Sequence, residues 1–274
     1  MPELPEVEAV CRKLRKQAVG GVIAEAVVLR AGSVKPQAPA DLNSAVGKSI
    51  VSIGRRGKNI LVHLSGGLAL RVHLRMTGNL FVIADARFHL SKVRVYFRFE
   101  DGRGLVLEDV WALGRVTIHE EAVLDGLLEA VGIEPLSKAF IATKLQAMVK
   151  LSRKPAKIFL TDQRHIAGLG NMYSAEALFR ARIAPMQPIN MVTRPKINAL
   201  HKAIIDVLRE AMMDAVRAYN TAGARQDMEF AVYGRKGEPC KVCQTTIQRI
   251  IQGGRSTYYC PNCQRLDVFE RVAG

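Results

Sequence analysis

No apolar run in the 274-residue chain approaches the roughly 18 to 20 residues that a membrane-crossing helix requires, so no membrane partner is expected. The start reads Met1-Pro2-Glu3-Leu4-Pro5-Glu6, acids and prolines in place of a basic segment before an apolar one, and a secretion signal is not expected. Repeats and low-complexity linkers are missing as well, which argues against solenoid and disordered classes. Negative charge is scarce: 25 Asp and Glu face 40 Lys and Arg, giving a net charge of +15. That balance favours polyanionic partners and speeds encounter with them, without fixing a fold. Cysteine is scarce too, and four of the five fall into two close pairs, Cys240/Cys243 and Cys260/Cys263.

What is present falls into three textures. Residues 1–130 read as an opening helix followed by strands. Val7, Val10, Cys11 and Leu14 recur at helical spacing after Pro5, and 22–29, 60–64, 68–74 and 92–99 read as strands. In the last of these Val93, Val95, Phe97 and Phe99 alternate with Lys92, Arg94, Tyr96 and Arg98, one face apolar and the other largely basic. Residues 131–232 read as helical. Leu200, Ile204, Val207, Leu208, Met212 and Val216 form a stripe, and Gly168-Leu169-Gly170-Asn171 interrupts a helical pattern with Asn171 placed to cap the next helix. Pro135 marks the expected hinge between the two regions. Residues 233–274 hold the cysteines.

Two Cys-x-x-Cys knuckles on either side of a spacer supply four soft thiolates, the donor set for one tetrahedral structural Zn²⁺. Two disulfides or four free thiols are the competing reading, and disulfides are rare in a reducing compartment. The spacer turns at Gly253-Gly254-Arg255, a hairpin with a cation at its tip, although a solvated loop arginine has the same pattern. At the other end, loss of Met1 would leave Pro2 as a free secondary amine. An α-amino group titrates at about 7.7 to 8.0, and the positive end of a helix lowers it further. Such an amine can attack a sugar C1′ and form an iminium, with Glu3 beside it for proton transfer. Pro2, Glu3 and Glu6 also suit a plain helix start. Between Val51 and Met76 the chain carries Arg55, Arg56, Lys58, Arg71 and Arg75 and no acid, a pattern that favours phosphate tracking over a merely solvated sheet face.

Taken together, Pro2-Glu3-Leu4-Pro5-Glu6-Val7-Glu8, Gly57-Lys58, His73-Leu74-Arg75-Met76-Thr77-Gly78, Asp162-Gln163-Arg164, Gly168-Leu169-Gly170-Asn171-Met172-Tyr173, Tyr233-Gly234-Arg235-Lys236-Gly237-Glu238-Pro239-Cys240 and the finger stand in an order that resembles the bacterial formamidopyrimidine-DNA glycosylases over nearly the whole chain. The resemblance implies an α+β multidomain fold. Its parts would be an N-terminal β-sandwich flanked by helices, a helix–two-turn–helix domain and a C-terminal zinc finger, with DNA in the cleft between lobes. It implies a bifunctional glycosylase and abasic-site lyase of base-excision repair, acting as a monomer on double-stranded DNA with oxidised bases or abasic sites, in the cytoplasm and at the nucleoid. By the same resemblance Pro2 is the Schiff-base nucleophile, Glu3 the proton donor at the sugar, Lys58 the proton donor for β-elimination and Arg255 the residue of δ-elimination. His73, Lys154, Asn171 and Tyr233 are its DNA contacts, and Met76 is a wedge for the space left by an extruded nucleotide. A passive binder of damaged DNA is the rival reading; Pro2, Glu3 and Lys58 occurring together favour the enzyme.

The chain departs from the family pattern in the part that inspects DNA. After Asp109 the family usually has Pro-Arg-Arg/Lys-Phe-Gly, whereas this chain reads Val110-Trp111-Ala112-Leu113-Gly114. Trp111 replaces the arginine that reads the orphaned base, and Leu113 replaces the phenylalanine wedge. An indole stacks on any base, so weak preference for the opposite base is expected; the alternative is a Trp111 that packs inward. The usual His-Asp-His-Val becomes Lys92-Val93-Arg94-Val95, with His89 nearby, and the 220–227 loop lacks the usual Gly-aromatic pattern. The resemblance implies excision of ring-opened formamidopyrimidines and of 8-oxoguanine, and with these departures ring-opened purines or oxidised pyrimidines are expected to be better substrates than 8-oxoguanine.

Overall fold

The structure, a computed structural model, describes residues 2–85, 91–220 and 229–267, with side chains omitted for 216–220. His89 and residues 221–227 lie outside the described residues, as does the tail beyond Asp267. The chain divides into two compact units, Met1–Val131 with Asp214–Arg225 and Gly132–Met213 with Gln226–Gly274.

The first unit opens with α1 (Leu4–Gln17), whose stripe of Val7, Val10, Cys11 and Leu14 is fully buried. Pro5 sits in the first turn, where a missing N–H costs no hydrogen bond, and the Glu6 carboxylate accepts the Glu3 backbone N–H at 2.7 Å. Eight strands follow: β1 (Ile23–Val28), β2 (Ile50–Arg56), β3 (Asn59–Leu64), β4 (Leu68–His73), β5 (Gly78–Ile83), β6 (Val93–Phe99), β7 (Gly104–Asp109) and β8 (Arg115–Glu120). They form two antiparallel sheets, in the orders β1-β6-β7-β5 and β2-β3-β4-β8. The alternation in β6 does what it promised, burying Val93, Val95, Phe97 and Phe99. Phe97, Phe99, Leu105 and Leu107 of one sheet share a core with Ile60, Val62, Leu70 and Val116 of the other, and α1 joins the same core. On the outer face of the second sheet, α2 (Glu121–Glu129) lays Leu124 and Leu128 over Leu61 and Ala69.

The second unit contains α3 (Ala142–Lys150), α4 (Ala156–Thr161), α5 (Asn171–Arg180), the part of α6 (Arg194–Asn220) up to Met213, and a hairpin of β9 (Gln248–Gln252) and β10 (Arg255–Tyr259). The boundary falls before Gly132, so Pro135 lies inside this unit and is not a hinge between the two. The reason is close backbone docking. The Gly132 N–H donates to the Gln163 carbonyl at 2.7 Å, Ile133 bridges to Ile166, and a Cβ on Gly132 would lie 2.4 Å from the His165 backbone. The helix cap also falls one residue before Asn171, on Gly170, because the Asn171 side chain is used elsewhere.

The cysteine segment is packed into this unit. Cys240, Ile247 and Cys260 share a core with Ala175, Phe179 and Val232. Glu176, almost fully buried, accepts the backbone N–H groups of Ala231, Val232 and Tyr233 at 2.9 to 3.0 Å. Gln264 is equally buried, accepting from the Cys260 N–H and donating to the Ile183 carbonyl, both at 2.9 Å.

Candidate functional site

The register of α1 on β2 positions the first candidate group. Arg15 donates to the Ile53 carbonyl at 2.7 Å, the Cys11 thiol lies 3.3 Å from the Gly54 carbonyl, and Arg55 pairs with Glu8 at 3.2 Å. Moving toward the N-terminus of α1 thus moves along β2 toward its hairpin turn, which carries Pro2 and Glu3 toward Gly57-Lys58. Gly57 has φ 58, the conformation a glycine permits in the first position of a two-residue hairpin, and Lys58 follows it. Glu3 is 1% exposed and Lys58 7%, so both ionisable groups of this set are shielded from water, with Pro2 half-buried beside them. Arg55 does not belong to a phosphate-tracking run: Glu8 neutralises it, and its guanidinium also donates to the Gly57 carbonyl at 2.9 Å.

A second feature is an exposed apolar pair of loops. Trp111 is 58% exposed, Leu113 and Met76 each 42%. Trp111 therefore does not pack inward, and Met76 is not a core methionine. One carboxylate fastens both loops. Asp109, fully buried, accepts the backbone N–H of Gly114 at 2.6 Å and of Trp111 at 3.2 Å, and the hydroxyl of Thr77, beside Met76. These donors hold its pKa below the ordinary carboxylate range although burial opposes them. Each loop also holds a non-glycine residue in the left-handed region, Arg75 at φ 57 and Ala112 at φ 53. Such strain is kept only where the surroundings impose it, and it concentrates at working sites.

His73, on the last residue of β4, accepts the Arg75 N–H on Nδ1 at 3.1 Å, which leaves its proton on Nε2. Burial, reinforced by Arg75, Lys58 and Arg71, pushes its pKa down to about 4, so the ring is a neutral donor near pH 7.

In the second unit, Asn171 donates its side-chain amide to the Ser256 carbonyl at 3.0 Å, tying α5 to the hairpin. Gly253 and Gly254 take φ 55 and 72, the positive-φ pair that a tight hairpin turn needs, and Arg255 opens β10 next to them. Lys157, Asp162, Asn171, Gln252 and Arg255 line one cleft, where Asn171 Oδ1 and Gln252 Oε1 are buried without a donor among the described residues. Lys154 is not among its lining residues, but its amine pairs at 3.0 Å with Asp162, which is, and Arg164 takes the same carboxylate at 2.8 Å. The residue the sequence reading missed is Lys157, 2% exposed, whose Nζ donates to the Asn171 carbonyl at 2.9 Å. Its signal was a lone cation inside the otherwise apolar Ala156-Lys157-Ile158-Phe159-Leu160. Tyr233 is half-buried, its ring held edge-on between Phe230 and Tyr258.

The four cysteines converge. Cys240, Cys243, Cys260 and Cys263 place their sulfurs within 4.8 Å of one another, with separations of 3.5 Å for Cys243–Cys260 and Cys243–Cys263 and 3.9 Å for Cys240–Cys263. Ligands at about 2.3 Å from a tetrahedral zinc lie about 3.8 Å apart, so the donor set and its spacing fit one structural zinc and not a pair of disulfides.

A sandwich with exposed apolar loops and a helical unit that grips a four-cysteine finger define a DNA-handling protein of the helix–two-turn–helix class. Three family models match in chain order: the formamidopyrimidine-DNA glycosylase N-terminal domain over residues 1–116, the formamidopyrimidine-DNA glycosylase H2TH domain over 131–220, and the zinc finger found in FPG and IleRS over 237–266. A formamidopyrimidine-DNA glycosylase of Chloroflexus aurantiacus is 40% identical, with 96% of this chain and 98% of that protein covered. The structure of Lactococcus lactis FPG with DNA containing FAPY-dG superposes with a TM-score of 0.88 at 30% identity, covering 96% of this chain and all of that one. The same Lactococcus lactis enzyme with abasic-site DNA gives 0.87 at 31%, covering 96% and 99%. The chain belongs to the formamidopyrimidine-DNA glycosylase family.

Proposed function

We propose that this chain is a bifunctional DNA glycosylase and abasic-site lyase of base-excision repair that excises ring-opened formamidopyrimidines through a Schiff base on Pro2. The observation that carries this reading is the register of α1 on β2, which directs Pro2 and Glu3 toward the shielded Lys58 at the β2–β3 turn. The free Pro2 nitrogen attacks C1′, a C–N bond forms, and the glycosidic bond breaks with its electron pair leaving on the base. Glu3 donates the proton that lets the sugar ring open, giving a cationic iminium between Pro2 and C1′. That cation acidifies the C2′ hydrogen; its loss expels the 3′ phosphate, with Lys58 supplying a proton in this β-elimination. Arg255 serves the second, δ-elimination and holds a backbone phosphate. Lys157 and Asn171 belong to the same phosphate-binding cleft, supported by the bond between them and by Arg255 lining the same hollow. The structural zinc fixes the knuckles on which the Arg255 hairpin stands and takes no part in the chemistry.

The exposed Met76, Trp111 and Leu113 fill the gap left by an extruded nucleotide, Trp111 stacking on the orphaned base. Among the described residues no helix is long and apolar enough to cross a membrane. The protein is proposed to work in the cytoplasm on bacterial duplex DNA. Borohydride trapping tests the chemistry. Protein with a free Pro2 amine should give a covalent adduct with an abasic-site duplex, and Pro2→Gly should give none. No adduct from correctly processed wild-type protein would leave only passive binding.

A further inference from the structure

The outer face of the second sheet is divided. One half is apolar and covered by α2, through Leu61 and Ala69. The other half carries Arg71 and His73 on β4 and Arg115 and Thr117 on β8. They sit on alternate rungs of one face, since Arg71 pairs with Thr117 and His73 with Arg115. The intervening Val72 and Val116 face the core, so these four point outward together. With Lys35 and Arg75 they line a concave pocket, and no carboxylate lines it.

That arrangement is costly for an empty surface. Four cations and a histidine crowd one hollow; burial and Arg75 lower the Arg71 pKa, and burial and three cations drive His73 to about 4. Like charges held together in partial shelter from water destabilise the fold unless an anion compensates them. The donors point the same way. Arg71 spends Nε on Asn59 Oδ1 at 2.9 Å, leaving both terminal nitrogens without an acceptor among the described residues. His73 offers Nε2–H. Arg115 uses one terminal nitrogen on the Leu113 and Gly114 carbonyls, each at 3.0 Å, and keeps the rest of its fork. A phosphate is the anion that a guanidinium fork matches in size and geometry.

We infer that this pocket seats one backbone phosphodiester of the bound DNA, with Arg71 and Arg115 as its principal holders, and that Arg115 thereby couples that phosphate to the Trp111–Leu113 loop. Arg115 is the link because the same guanidinium meets the phosphate and the loop's own carbonyls. A phosphate in the pocket stiffens the loop at Leu113 and sets how deeply Trp111 enters the duplex. The inference rests on the proposed DNA reading but concerns a subsite and a coupling distinct from the chemistry at Pro2.

The test is a cycle between protein and DNA. Duplexes carrying a tetrahydrofuran abasic analogue are made with single neutral methylphosphonates at each phosphate around it. Binding is measured for wild type, Arg71→Gln and Arg115→Gln. At one position the neutral linkage should weaken wild type about tenfold, the loss of charge-assisted contacts, and weaken each variant by clearly less. At that position alone the fluorescence change of Trp111 per bound duplex should also shrink in wild type, a readout that needs no variant to fold. Losses that add fully at every position, or a Trp111 signal indifferent to position, overturn the inference. Failure of borohydride trapping would instead defeat the glycosylase–lyase reading and leave this binding cycle valid.

Discussion

Trp111 is the only tryptophan in the chain, and it stands exposed on the loop where the family reads the orphaned base. A bidentate arginine contact discriminates between bases by about 1 to 3 kcal/mol, whereas stacking of an indole supplies comparable energy to any base. Excision of one formamidopyrimidine lesion should therefore vary little across the four opposite bases. Trp111→Arg should introduce a cytosine preference of about tenfold or more, measured as single-turnover rates. A strong cytosine preference already present in the unaltered protein sinks this reading. His73 makes a prediction about pH. Its folded pKa of about 4 lies below the ordinary value of 6.5. Between those two values the unfolded chain binds a proton that the folded chain refuses. Stability contributed by the neutral ring is thus complete above pH 6.5 and is lost as pH falls toward 4, on the order of 2 to 3 kcal/mol in all. The melting temperature of His73→Gln should fall less than that of wild type between pH 7 and 4.5. Equal falls would show that Arg71, Arg75, Lys58 and burial do not act on His73 as described.

At the level of elements, the two exposed apolar loops behave as one piece because Asp109 holds both. Asp109→Ala would leave the Trp111 and Gly114 N–H groups and the Thr77 hydroxyl without their buried acceptor, a loss of about 3 kcal/mol after local relaxation. Thermal unfolding should record that loss, and binding to abasic-analogue DNA should weaken with it; an unchanged melting temperature would contradict the role. Nothing in the sequence announces this role, since an acid at the end of a strand is ordinary. The strands themselves were legible wherever one face is buried: the alternation in β6 and the spacing in α1 translate directly into core positions. The helix start at Asn171 was misread by one residue because the cue, an amide side chain after glycine, is shared by caps and by residues that reach out to a partner such as Ser256. Lys157 stays hidden in the sequence for a similar reason. Composition cannot tell an ion-paired surface lysine from a buried one that donates to a helix terminus.

For the whole molecule, the finger is legible from spacing alone, but its packing is not. Mercurial titration followed with a metallochromic dye should release one zinc per chain. Cys11, whose thiol burial pushes up to about 12, should stay unreactive until the sandwich unfolds. Reaction of Cys11 in step with zinc release would mean that the sandwich and the finger melt together. The shared core of Cys240, Ile247 and Cys260 with Ala175, Phe179 and Val232, together with Glu176 and Gln264, also bears on how the protein can be engineered. A chain cut before Cys240 would uncover the apolar side of α5 and strip Gln264 from the Ile183 carbonyl. Such a fragment would be a sticky, aggregation-prone body, and its failure to bind DNA would say nothing about Arg255. Swapping or trimming fingers between relatives would therefore have to carry α5's facing residues along with the knuckles.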